Sequence, residues 1–279
     1  MKTQTVAQKI QSNPDLIPSL PDVITKAMKL VEDPNVKPGD LEKLLSNDPG
    51  LVATMLRLAN SPIYGFAHKR ETVRDAIIGM GLNGLRGVLL GSSMKRFVGG
   101  QFKAYGDPMT LWRHAMAVGS GARLLNQRLP KSPDNSEEMF VAGLLHDLGK
   151  VLLAPFLTRM GEDMTKCTVP VHSVEERILG INHMKAGGIV AEMWNLKPMV
   201  REVITRHHYR SCDEQHRHAI AVVRLADQCA TNNGYGAGQT GPDSDFLTPD
   251  LAVIGLEPEE WKEVGDTIAE AVGAALSDA

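Results

Sequence analysis

MFVAGLLHDLGKVLLAPFL, residues 139–157, is a strongly apolar stretch with His146, Asp147 and Lys150 set into its middle. It shows no strand-like alternation, and apolar residues flank the His-Asp pair on both sides, which is the pattern of buried helix. Burying an imidazole and a carboxylate without partners costs several kcal/mol. A chain that places both inside such a run needs something within the fold to satisfy them.

Working outward, helix signals continue in both directions. Upstream lie LWRHAMAVGSGARLLNQRL (111–129) and the polar linker PKSPDNSEE (130–138). Downstream, Ser173 and Glu176 have the spacing of a capping box for VEERILG. A helix over about 183–194 follows, then PMVREVITRHHY (198–209) and HRHAIAVVRLADQCA (216–230). Residues 232–249, rich in Gly, Asn, Asp and Thr, read as a mobile surface loop. The C-terminal 257–279 segment is amphipathic, with acidic residues in its first turn where the helix dipole favours them.

In the N-terminal part, Ser19 is a candidate N-cap with Pro21 in the first turn, and Asp48-Pro49 opens another helix. Two further helical runs, TVRDAIIGMG (72–81) and LNGLRGVLLGSSMKRF (82–97), carry dense glycines that point to close helix contacts or a tight turn. Residues 99–108 read as the boundary between two halves, an N-terminal helical subdomain over 1–100 and a second one over 101–279. The fold class is all-α, a multi-helix bundle.

Composition agrees. Hydrophobic residues make up 43% of the 279 and aromatics only 5%, so the core is built from Leu, Val, Ile, Ala and Met, which suits packed helices. A net charge of −3 does not advertise a nucleic-acid binder, which usually carries a basic face. No stretch approaches the roughly 20 continuous apolar residues that span a bilayer, and the first 15 residues lack a secretory apolar run. Three unpaired-looking cysteines, Cys167, Cys212 and Cys229, fit free thiols in a reducing cytoplasm. The expectation is a cytoplasmic protein with no nucleic-acid or membrane partner; nothing here fixes its oligomeric state.

Other polar residues share the inward placement of His146 and Asp147. His114 faces with Leu111 and Val118, His183 with Gly187, Val190 and Trp194, and Asp227 with Val223 and Ile220. Brought together, these imidazoles and carboxylates would form a low-dielectric cluster for which a divalent metal is the simplest common partner.

In that order on helices, His114, His146-Asp147 and Asp227 resemble the H…HD…D signature of HD-domain metal-dependent phosphohydrolases. His183 in NHMKAG and the doublet His207-His208 are similar to the extra histidines of the HD-GYP subgroup, and Lys150 falls where that subgroup has a phosphate-contacting lysine. IPSLPDV (17–23), NDPGLVATMLRLANSPIYG (47–65) and DAIIGMGLNGLRGVLL (75–90) resemble the opening of HDOD domains, the HD-related output domains of bacterial signalling. The resemblance runs from about Ile17 to Asp227, making one HDOD unit over about 17–230 followed by a C-terminal helix.

It implies one or two divalent transition-metal ions (Fe, Mn, Zn or Ni). His114, His146, Asp147 and Asp227 would hold one, and His183, His207 and His208, with Asp147 bridging, a second. Two functions follow from it. One is a regulatory module acting on a signalling protein partner or a phosphate-containing small ligand, with little or no turnover. The other is a phosphohydrolase acting on a nucleotide or cyclic dinucleotide, with Asp147 and Lys150 in catalytic roles. The text HHYRSCDEQHRH (207–218) lacks the Gly-Tyr-Pro loop of HD-GYP enzymes, and Thr110 stands where trinuclear members place a glutamate. The first departure favours regulation; the second argues against a third metal. His68, His216 and His218 read as solvated, His172 as structural, and Lys69-Arg70 and Lys95-Arg96 as solvated helix ends, with a weak phosphate or partner contact as the alternative.

Overall fold

A computed structural model describes residues 5–97, 103–130, 132–236 and 246–277. Every regular element among them is helical: α1 Val6–Ser12, α2 Asp22–Val31, α3 Pro38–Leu45, α4 Pro49–Ala59, α5 Val73–Phe97, α6 Pro108–Arg128, α7 Ser136–Leu145, α8 Leu148–Arg159, α9 Val171–Leu179, α10 His183–Met193, α11 Pro198–Arg206, α12 Arg217–Ala230, α13 Leu247–Ile254 and α14 Pro258–Ser277, joined in places by short 3-10 turns.

Local chemistry sets many of the boundaries. Asp48 accepts from the Leu51 amide at 3.0 Å with Pro49 in the first turn, as expected. Asp107 and Pro108 open α6 in the same way. At Gly81 the backbone turns to φ 69°, ψ 178° and splits α5 into the two runs read from the sequence; an L side chain there would be strained. Two expected caps do not form. Pro21, not Ser19, sits at the N-cap of α2. Pro170 precedes α9, so Ser173 lies inside that helix and makes no capping box.

The apolar faces close two cores. The first gathers Ile24, Leu41, Leu45, Leu51, Met55 and Leu89 from α2 to α5. The second takes its residues from Ala104 onward, together with Ile10 and Ile17 and with Leu90 and Met94 of α5, so α5 contributes to both. In the second, α6 packs on α7, α12 and α14, and α8 on α10. These approaches are close. A Cβ on Gly143 would meet Val118 O at 2.8 Å, and one on Gly149 would meet His183 O at 1.8 Å.

Other expectations need correction. The stretch Ser136–Arg159 is long and apolar enough to cross a membrane, although 89% of its apolar window is buried inside the protein as α7 and α8. Of the expected boundary at 99–108, residues 99–102 lie outside the described residues, while Lys103–Tyr105 form a 3-10 turn with Ala104 and Tyr105 buried. Of the expected loop at 232–249, residues 237–245 lie outside them too. Its start, Thr231–Tyr235, is a π turn continuing α12, and its end belongs to α13. The three cysteines are free, and burial pushes the Cys229 thiol up to about 11.

Candidate metal centre

The fold brings the inward-facing polar residues to one place. His114 projects from α6, and His146 and Asp147 occupy the break between α7 and α8. Ligand atoms of these three lie within 4.8 Å of one another, as do those of His183, His207 and His208, which sit where α10 begins and α11 ends. Asp147 stands between the two groups. Its Oδ2 is 3.5 Å from His114 Nε2 and 3.4 Å from His146 Nε2; its Oδ1 is 3.4 Å from His183 Nε2 and 3.8 Å from His207 Nε2. Asp227 Oδ1 reaches His114 Nε2 at 3.4 Å from α12. All seven residues singled out as ligands therefore converge.

Four of the rings are oriented alike. His114 Nδ1 donates to Tyr235 O (2.8 Å), His146 Nδ1 to Gly143 O (2.7 Å), His183 Nδ1 to Glu175 Oε2 (2.7 Å), and His207 Nδ1 to Val203 O and Ile204 O (3.1 Å each). Oxygen acceptors require the proton on Nδ1, which leaves each Nε2 lone pair turned inward. Two such nitrogens then face each other at 3.2 Å (His114 and His146) and at 3.3 Å (His183 and His207). Bare lone pairs at that separation repel unless a cation or a further proton lies among them. Asp147 Oδ1 is buried with no hydrogen-bond partner. Imidazole nitrogens around a central carboxylate suit a first-row divalent metal, and the donor set fits that group.

Electrostatics keep Asp147, His207 and His208 in binding form. Burial, with His146 and His183 nearby, holds His207 well below the usual histidine range; burial and His207 do the same to His208. Burial alone would raise Asp147, yet Lys150 and His146 hold it well below the carboxylate range. Burial opposes the charge on His146 too, but Asp147 raises it. Lys150 is fully buried, and its Nζ donates to Asp147 Oδ2 at 2.6 Å.

Four supporting residues, Glu175, Tyr105, Arg224 and Asp250, carried no signal in the sequence. Glu175 is fully buried on α9; its Oε2 accepts from both the amide (2.8 Å) and Nδ1 of His183, and its Oε1 from the Tyr105 hydroxyl (2.7 Å). Arg224 of α12 holds the doublet's backbone, donating to His207 O (2.8 Å) and Arg206 O (3.1 Å) while paired with Asp250 (3.2 Å). The adjacent Glu176, by contrast, faces outward to Lys185. One secondary reading changes: His218 is no solvated residue but pairs with Asp134 at 2.9 Å, while His172, read as structural, is in the first turn of α9 with its ring stacked on His208 at 5.0 Å. His68 is exposed as expected.

Helical fold and histidine–aspartate centre together define a protein of the HD-related class. A family model of the HDOD domain matches residues 17–210, and the chain belongs to that family. An uncharacterised protein of Treponema pallidum (strain Nichols) is 26% identical over 234 residues, covering 81% of this chain and 45% of its own length, so the chain spans less than half of that relative. A solved HDOD domain protein of unknown function from Geobacter sulfurreducens is 28% identical with a TM-score of 0.78, covering 97% of this chain and 96% of its own. A candidate phosphohydrolase from Shewanella amazonensis SB2B shares the fold at 20% identity, with a TM-score of 0.72 over 99% and 98% of the two chains.

Proposed function

We propose that this protein is a cytoplasmic regulatory module of bacterial signalling whose HD-type centre binds divalent transition metal and turns over little or no substrate. The metal half of this reading rests on the facing Nε2 atoms, whose other ring nitrogens are all committed to oxygen acceptors. His114, His146, Asp147 and Asp227 would hold one ion, and His183, His207 and His208, sharing Asp147, a second. Such ions, when bound, supply concentrated positive charge and acidify water.

The regulatory half rests on enclosure. His114, His146, Asp147 and Lys150 are 0% exposed, His183 1% and His207 2%, so a phosphoryl group could touch these six only after the bundle opens, and only Asp227 and His208 are partly exposed. Lys150, which the resemblance casts as a phosphate contact, is committed to Asp147 instead. A partner protein or a phosphate-containing ligand would then read the state of the centre through the surrounding helices.

Protein purified without chelator is expected to carry one or two equivalents of metal, and Asp147→Ala to lose it. Absence of metal, or full content in the variant, sinks the reading. A hydrolase keeps support from the complete ligand set. Steady hydrolysis of cyclic dinucleotides or simple phosphodiesters with added manganese or iron, abolished by His146→Ala, would replace the regulatory reading with that one.

A further inference from the structure

Lys69 is exposed as expected, but Arg70 is half-buried and neither residue lies at a helix end. These residues lie on the loop between α4 and α5 and form one wall of a cleft of about 550 Å³, whose other wall is the end of α4 with Leu56, Arg57 and Asn60. Arg57, Lys69 and Arg70 face a single lining carboxylate, Glu71, which leaves two positive charges in excess. None of the three cations forms an ion pair among the described residues.

Arg70 is also held in place. Asn60 Nδ2 donates to Arg70 O at 2.9 Å, and the Arg70 amide donates to Asn60 Oδ1 at 2.7 Å, so the two walls are clamped together. Its guanidinium lies 4.3 Å over the Phe66 ring. Its Nε is buried with no hydrogen-bond partner. A Cβ on Gly79 would come within 3.0 Å of both Arg70 Nε and Phe66 Cζ, so the absent side chain makes room for this packing. A guanidinium fixed in one orientation, partly out of water and without a carboxylate, has given up its rotamer freedom before any ligand arrives.

We infer that this cleft is an anion site for the phosphate group of a small phosphorylated molecule, separate from the metal centre. A dianionic phosphate matches the excess charge better than a single carboxylate, and Arg forks bind it bidentately. The volume lies within the range of small-molecule sites and leaves room for the rest of such a molecule beside its phosphate.

Calorimetric titration with glycerol phosphate at low ionic strength tests this, with glycerol and sodium chloride as controls. Saturable binding is expected in the wild type both before and after chelator dialysis that strips the metal centre. Weakening by about fivefold or more is expected in Arg70→Gln or in Arg57→Gln, with metal content unchanged. Arg57 is exposed, so its variant keeps the test valid if Arg70→Gln misfolds. No saturable binding by the wild type, smaller losses in both arginine variants, equal heats with the controls, or loss of binding on chelator dialysis would each overturn the proposal.

Discussion

A histidine presents one ring nitrogen to a ligand only if the other has somewhere to put its proton. At His114, His146 and His207 that place is a backbone carbonyl; at His183 it is the Glu175 carboxylate. Against its burial, His183 holds Glu175 below the usual carboxylate range. Glu175→Gln keeps the volume but removes the charge and disturbs the tautomer. Affinity for metal at the His183, His207 and His208 group should fall about 10- to 100-fold, with the helical circular dichroism unchanged. Titration against a competing chelator measures this; unaltered affinity would show Glu175 to be only a packing residue. His114, His183 and Asp227 were visible in the sequence because each interrupts an apolar stripe. His207 and His208 became visible only through the family resemblance.

Between helices, glycine decides how near two backbones come, and so which side chains can share an ion. Gly143 and Gly119 let α6 and α7 touch, which brings His114 to His146. Gly149 packs on His183 O and on Gly187 N, which brings Asp147 to His183. Gly149→Ala puts a methyl where a carbonyl oxygen already stands, a cost of about 3 kcal/mol or more, since neither backbone can yield alone. Urea unfolding should show the lower midpoint; an unchanged midpoint would mean that α8 and α10 are free to separate. The dense glycines of α5 were read as close contacts or a turn, and both occur: Gly87 abuts Phe140, while Gly81 breaks the helix.

At the scale of the molecule, the two cores are tied by α5 and by a polar link from the 61–65 turn to α6 and α7. Arg123 donates to Glu137 Oε1 (2.6 Å) and to Ile63 O (2.5 Å), and lies 4.5 Å over the Tyr64 ring, whose hydroxyl donates to Glu137 Oε2 (3.1 Å). Removing one member of a largely buried pair leaves its partner uncompensated, at about 3 kcal/mol. In Arg123→Met the smaller core should therefore unfold first. Trp112, Trp194 and Trp261 all belong to the larger core, so tryptophan fluorescence follows that core while circular dichroism follows both. The two probes should coincide in the wild type and separate in the variant, with circular dichroism falling first. Coincident curves at an unshifted midpoint would mean that the link does not couple the cores.

The sequence by itself determined the helices, several of their caps, and the set of polar residues that had to be satisfied inside. Those are consequences of local periodicity and turn chemistry, which a chain carries wherever it folds. Tertiary structure alone decided that Asp147 stands between both histidine groups, that Lys150 turns to that carboxylate, and that of two neighbouring glutamates Glu175 faces in and Glu176 out. Each of these depends on the angle and depth at which distant helices meet, and that is set by backbone contact at a few glycines rather than by any spacing along the chain.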